Sequence, residues 1–556
     1  MRTKTEGYKH LPTLGDRPPE RKIVIYLDGD QDRILHEADQ ALAQEPTLYN
    51  QAGKLVLVGR GMVAPEETTG APILVHACPE YLAALLASII EFRKPSRSRN
   101  RDDEDVQAGV PSWLPHRLLG VAVDQKFSSV KPITGLLSGP TVGDDGALIV
   151  NVGYHRIAGQ GWYLADDFGE AESMVPMAPT IAHARAAEAK IRSMVQFFPW
   201  ADEHSYGLWL TTLIAQLMRP SFGLLPASLI SATGPGAGKT YLARLIGIIC
   251  HRRNPALSAW PVGFGGESET ELEKILIGEA LSGTTLSIFD NLPAGTEFDS
   301  AKLNAVVTTP QIKGRILGRN ENRLLPWWAQ IVATGNSTNP TGDMAQRTMV
   351  IRLASHSTNA RDRPASSFEG VGDAVDYASE HQSELLAAAL TMCAAYARAG
   401  KPKQYGRDWG TFTSFVKGPL AIVRWVLGAD PIAALFAENA KSDSVTAALE
   451  AIANNWAEAV GLAFHAKPIA LKALLDIITG PTANESADAL LEGFQSLGMH
   501  HPTAQALSRV FTRYAGRPIH TEAGTVMLAS ELDTRNKVKR WHIAPVTSSA
   551  KAASSF

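Results

Sequence analysis

The stretch "SATGPGAGKT", residues 231–240, decides how this chain is read. A phosphate-binding loop follows G-x-x-x-x-G-K-[ST], and its second half is intact here as Gly238, Lys239 and Thr240. Thr233 stands where the first glycine belongs. Such a loop needs a buried strand, a turn with inward backbone N–H groups, and a helix whose positive end faces the phosphates. "ASLISA" supplies the strand and Gly234, Gly236 and Gly238 free the turn. The helix runs on as "KTYLARLIGIIC", with Leu242, Leu245, Ile246 and Ile249 on one apolar face. Gly234, beside Thr233, is expected to absorb any torsion that threonine cannot adopt. The expected nucleotide cradle is therefore Gly234, Pro235, Gly236, Ala237, Gly238, Lys239, Thr240 and Tyr241. Lys239 would reach the β and γ phosphates, and the Thr240 hydroxyl would ligate magnesium.

A phosphate loop alone fits kinases, GTPases and motors, so its partners must be sought downstream. "TTLSIFDN" ends a buried-type strand in Asp290, where a carboxylate would anchor magnesium-bound water, making Thr240 and Asp290 the metal pair. "WWAQIVATGN" ends another in Asn336, a side chain suited to the γ-phosphate and the attacking water. "GDMAQRTMVIRL" places Arg347 at the start of a further strand, able to enter a neighbouring subunit's site. No guanine-reading Asn-Lys-x-Asp occurs, and no kinase lid or acceptor pocket is legible.

The chain has 556 residues, 45% hydrophobic and 20% charged, an ordinary globular balance with apolar mass for real cores. Its formal charge of −3 excludes a uniformly basic nucleic-acid coat, so any nucleic-acid contact must be local. Cys78, Cys250 and Cys393 lie far apart without metal-ligand spacing, which fits a reducing cytoplasm and argues against zinc or disulfides. No signal peptide or membrane-spanning run is expected.

The fold class expected is α/β: a P-loop ATPase core with a parallel sheet, preceded by an α+β accessory domain and followed by helical and winged-helix-like segments. Residues 1–20 read as a loose lead-in, 21–180 as the accessory domain, and 181–355 as the ATPase domain. Residues 356–445 read as a helical segment, 446–545 as the winged-helix-like domain, and 546–556 as a disordered tail. "RKPSRSRNRDDED", residues 93–105, reads as a solvated loop. "YLDGD" places Asp28 and Asp30 at a strand end, and a turn before a helix is preferred there over a metal site.

Gly-Lys-Thr, "IFDN", "KGRILG…LLPWWAQIVATGN" and "GDMAQRTMVIRL" together resemble the AAA+ and superfamily 3-like helicase domains of phage, plasmid and mobile-element primase-helicases. The look extends to relatives of the poxvirus-type primase-helicases. "LYNQAGKLVLV", "GPTVGDDGALIVNVGYH" and "FFPW" are similar to the region before the motor, and "TFTSFVKGPLAIVRWVLGADP" to the helices after it. The resemblance implies a homo-hexameric cytoplasmic ring that translocates on DNA, hydrolysing ATP with Mg2+ at subunit interfaces. It makes Lys239 and Thr240 the phosphate and magnesium ligands, Asp290 the Walker B carboxylate, Asn336 sensor 1 and Arg347 the arginine finger. Thr233, Asn291 after Asp290, and Gln346 before Arg347 depart from the family pattern. Asn291 leaves the general base unassigned, with Glu269, Glu271 or Asp290 itself as substitutes.

"QIKGRILGRNENRLLPWW" reads as a hairpin carrying Lys313, Arg315, Arg319 and Arg323. By resemblance it protrudes into the ring's channel and grips DNA phosphates. "TAQALSRVFTRYAGRPI" reads as a helix with Arg509 and Arg513, followed by a hairpin with Lys537, Lys539 and Arg540, the order of a winged helix, whose helix can lie in a DNA groove while the wing touches phosphate, or whose surface can instead dock a protein. The expected function is an ATP-dependent DNA helicase or replication motor without primase activity, contacting replication proteins through its N-terminal region. A DNA-stimulated ATPase that loads or remodels other proteins, and a slow nucleotide-gated adaptor, are the alternatives.

Overall fold

The structure, a computed structural model, describes residues 22–61, 70–94, 105–124, 128–143, 145–262, 267–293, 296–315, 322–354, 372–436, 444–461, 468–481, 483–499, 501–516, 518–521, 524–533 and 538–545. The lead-in to residue 20 and the tail from 546 lie outside the described residues. The chain is a mixed α/β protein in two compact units. One comprises Met1–Thr296, Ser300–Thr338 and Arg347–Ala433; the other comprises Glu297–Asp299, Asn339–Gln346 and Ala434–Phe556. Among the described residues, no helix is long and apolar enough to cross a membrane.

At the centre of the first unit lies a five-stranded sheet. In chain order its strands are β1 (Ala227–Ala232), β2 (Ser258–Ala259), β3 (Leu286–Leu292), β4 (Gln330–Asn336) and β5 (Thr348–Leu353). They run parallel in the spatial order β2-β3-β4-β1-β5. The continuous apolar runs behave as such runs must: all of β1 is buried, because a central parallel strand has both faces covered. Helix α1 (Glu203–Leu217) is buried at every position from Ser205 onward, so it is a core helix rather than an amphipathic one. From β1 the chain crosses through α2 (Lys239–His251) to β2, past β3 and β4, whereas β5 lies on β1's other side. That reversal in strand order falls beside β1, and sheets of this kind bind ligands outside the carboxyl ends of the strands at such a switch point. Helices α3 (Glu267–Ser282) and α4 (Ala301–Thr308) flank β3 in sequence, and an antiparallel hairpin of Gln311–Arg315 and Asn322–Pro326 stands between α4 and β4.

Ahead of the sheet, Ile23–Tyr26 pairs parallel with Ile90–Lys94, and Leu48–Gln51, Lys54–Arg60 and Pro72–His76 form an antiparallel sheet. Arg93 and Lys94, read above as the start of a loop, are the end of a strand; residues 95–104 of that charge run are outside the described residues. The glycine-punctuated region adds Gly135–Leu137, Gly153–Ile157 and Gln160–Leu164. It is joined to the foot of the central sheet, where the Thr285 hydroxyl donates to Ser138 Oγ at 2.7 Å and Trp162 meets Trp328 edge-on at 4.8 Å. The second unit has its own core around Trp456, Phe494, Phe511 and Trp541. Its helices, among them Leu471–Thr479, Glu485–Ser496 and Ala504–Tyr514, pack with a four-stranded sheet that contains the antiparallel pair Gly524–Asp533 and Val538–Pro545.

Candidate functional site

β1 ends in the loop that opened the reading of the sequence. Gly236 and Gly238 take φ values of 79° and 89°, and a Cβ on Gly238 would lie 2.5 Å from the Phe198 ring. Both conditions demand glycine at 238. Thr233 and Gly234 are not among the residues with positive φ. No left-handed torsion is adopted at the first position, so Gly234 has none to absorb and a side chain is accommodated there. Helix α2 starts at Lys239 with no side-chain cap, which leaves its first N–H groups for a ligand.

The Lys239 amine donates to Asn336 Oδ1 at 2.6 Å and to the Gly234 carbonyl at 3.2 Å. Burial lowers its pKa, with Asp290 pulling the other way. Along the loop, Pro235 and Gly236 are exposed and Ala237 is buried. The Tyr241 hydroxyl is engaged by Asp373, whose carboxylate raises the phenol's pKa.

Asp290 is aimed by an irregularity in β3. Phe289 pairs with Ala333 and Leu292 with Gly335, so β3 holds one residue more than β4 between these pairs, a β-bulge. Asn291 occupies the bulge at φ 57°, a left-handed conformation that asparagine tolerates better than most side chains, and its N–H donates to Thr334 Oγ1 at 2.9 Å. Asp290 Oδ1 then accepts from the Thr240 hydroxyl at 2.8 Å and the Thr334 hydroxyl at 2.7 Å. Lys239 with Asn336, and Thr240 with Asp290, thus meet through direct bonds from two parallel strands and a helix. Thr334 belongs with them and was missed. Its only signal was its place in "IVATGN", which has no meaning until β4 is known to lie beside β3.

Arg347 stands just before β5, its carbonyl accepting from Ala227 N at 3.0 Å at the start of β1. The strands carry six residues from there to the glycine-rich loop, a rise of roughly 20 Å. Arg347 is half-buried, and its Nη1 donates to Asn304 Oδ1 on α4 at 2.7 Å. Of the substitute bases, Glu269 accepts from Lys302 N at 3.3 Å at the head of α4, and Glu271 pairs with Lys274.

On the hairpin, Ile312 and Gly314 face inward, and a Cβ on Gly314 would lie 2.1 Å from Ile277 of α3. Lys313 and Arg315 alternate with them and are exposed. Arg319 and the Arg323 side chain lie outside the described residues, as does Lys537. In the second unit, Arg509 and Arg513 are exposed, one turn apart on Ala504–Tyr514. Lys539 lies over the Trp541 ring at 4.6 Å, and Arg540 is paired with Asp533 at 2.9 Å. Asp30 caps the helix Gln31–Leu42 and Asp28 pairs with Arg33, so "YLDGD" is a capped turn. Among the described residues there is no group of three or more His, Cys, Asp or Glu side chains able to hold a metal.

No family model matches the chain, and no curated protein matches it. Among solved structures, an A-form apo structure of the NrS-1 C-terminal region is similar over 81% of this chain and 93% of its own, at 14% identity and a TM-score of 0.34. A second structure of that region covers 80% of this chain and 93% of its own, at 11% identity and a TM-score of 0.33.

Proposed function

We propose that the chain is an ATP-driven DNA motor: an AAA+ type P-loop ATPase that assembles as a homo-hexameric ring and hydrolyses ATP between subunits. One observation carries the reading, the convergence of Lys239, Thr240, Asp290 and Asn336 at the head of an uncapped helix behind a glycine turn. Phosphate is met there by a lysine, backbone N–H groups and a helix dipole. The Thr240–Asp290 oxygen pair suits Mg2+, which takes oxygen ligands and completes its shell with waters and phosphate oxygens. When bound, the ion neutralises charge on the phosphates.

Within the chain itself, Lys239 and Asn336 hold each other until a γ-phosphate divides them: the lysine then binds phosphate and the amide orients water. Arg347 supports the ring. It stands at the opposite end of the sheet from its own phosphate loop, which suits service at another copy's site. Lys313 and Arg315, and Arg509 and Arg513 in the winged-helix-like unit, offer local cations for phosphate contact in a chain whose net charge is slightly negative. The N-terminal region would dock replication proteins.

ATP turnover with and without single-stranded DNA, together with strand displacement on a forked duplex, tests the reading. DNA-stimulated turnover and duplex opening are expected. ATP consumption without opening would instead identify a loader or remodeller of other proteins. A specific observation keeps the slow adaptor in play: Asn291 is exposed in its bulge, where a carboxylate would be the natural base. Turnover no greater than that of Lys239→Ala would identify that adaptor.

A further inference from the structure

The helix that holds the finger arginine also begins the hairpin. α4 starts on Ser300, whose hydroxyl accepts from Lys302 N and Leu303 N, and its first turn is tied to α3 by Glu269 and by the Lys302–Glu273 pair at 2.6 Å. Midway along, Asn304 accepts from Arg347 at 2.7 Å. After Thr308 only Thr309 and Pro310 separate the helix from the hairpin strand Gln311–Arg315. The Pro310 carbonyl accepts from Trp327 N at 2.9 Å, closing the hairpin's base against its own return strand. One short helix therefore carries the arginine's acceptor in its middle and the exposed Lys313 and Arg315 just beyond its end.

We propose that Asn304 is a positioning residue that aims Arg347 and ties its orientation to the hairpin, so that DNA on the hairpin is reported to the neighbouring subunit's ATP. This rests on the motor reading above. A guanidinium on a long side chain has many rotamers, and an amide acceptor at 2.7 Å selects among them. A rigid helix seated in the core through Leu303, Val306 and Val307 transmits displacement of the hairpin to that acceptor. Asn304 acts through Arg347 in this proposal and is a positioning residue, not a catalytic one.

The test uses the full chain and compares Asn304→Ala, Asn304→Asp, Arg347→Ala and the double variant Asn304→Ala/Arg347→Ala, with oligo(dT) as the DNA probe. Alanine is a better helix former than asparagine, so loss of folding is not the expected outcome. Asn304→Ala should lower kcat about tenfold with KM for ATP unchanged, since the hydrogen bond that orients Arg347 is lost and the guanidinium spends less time aimed at the reacting phosphate. Its stimulation by oligo(dT) should fall to near unity. Asn304→Asp, which keeps the acceptor, should restore both. The double variant should be no slower than Arg347→Ala alone, because a positioning bond has no value without the group it positions.

Wild-type kcat and wild-type stimulation in Asn304→Ala, alongside a collapsed Arg347→Ala, would overturn the inference and leave the motor reading standing. So would a lowered kcat with the stimulation ratio intact. If Arg347→Ala itself turns over normally, the finger assignment fails, and the inference fails with it.

Discussion

The two ends of the central sheet are polar in different ways. At the head, side chains bond to side chains from separate elements, the helix α2 and the strands β3 and β4: Lys239 to Asn336, and Thr240 and Thr334 to Asp290. At the foot, side-chain amides bond mostly to backbone. Gln330 Nε2 donates to the Thr212 carbonyl at 3.1 Å, Gln216 Nε2 to the Thr285 carbonyl at 3.2 Å, and the buried Arg219 to the Phe222 carbonyl. A side-chain pair can exchange its partner for a ligand with every group still satisfied. A backbone carbonyl that loses its donor in the interior is orphaned, at a cost of about 1–3 kcal/mol. The head is built to open and the foot to hold, although the foot also carries side-chain pairs, Thr285 with Ser138 and Arg347 with Asn304 among them.

The largest effect that could break this contrast is at the head. Lys239→Ala should abolish measurable ATP turnover, a loss of about 10³ or more, while leaving the melting temperature within a few degrees. A variant that melts far earlier would mean the lysine holds structure as the foot does. At the other end, Arg347→Ala should lower kcat by about 10³. Mixing it with Lys239→Ala chains should recover part of the activity, because a mixed interface pairs an intact loop with an intact finger. No recovery at any mixing ratio would remove the shared-site account.

A stability measurement sharpens the contrast next. Burial pushes the Glu279 carboxyl, where α3 turns toward β3, up to about 7 from an ordinary 4.5. The folded chain thus keeps a proton that the unfolded chain releases. That contribution is fully present below about pH 4.5 and is lost as pH rises through about 7. Glu279→Gln, neutral throughout, should raise stability at pH 8 by up to about 3 kcal/mol, with the gain vanishing near pH 4.5. Urea unfolding at both pH values reads this directly; an equal gain at both would show that charge is not the cause.

The smallest expected effect is in the bulge. Asn291→Ala should cost about 1 kcal/mol through its left-handed backbone, whereas Asn291→Gly should be close to neutral. An alanine variant as stable as wild type in the same unfolding assay would mean the bulge is unstrained.

Much of this was legible in residues 231–240, because a run of glycines followed by lysine and threonine leaves few alternatives. The strand ending in Asn336 was legible as an unbroken apolar run, and so was the strand carrying Asp290, although it runs on through a bulge to Leu292 instead of ending at the carboxylate; the hairpin Gly524–Asp533 with Val538–Pro545 was legible too. Thr334 and Asn304 were not legible, since neither bears a motif and each matters only through a residue far away in the chain. The tolerance of Thr233 was not legible either: the pattern asks for glycine, but only the backbone torsion says whether glycine is needed.

What the sequence determined alone is the chemistry available: a lysine and a hydroxyl at a helix start, a carboxylate and an amide at two strand ends, an arginine before a third. Those follow from local periodicity and residue type. Tertiary structure decided which of them meet. Strand order is a non-local choice, made when buried strands pair laterally, and it alone sets β3 and β4 side by side, β1 next to β4, and Arg347 at the far end of the sheet from the glycine-rich loop.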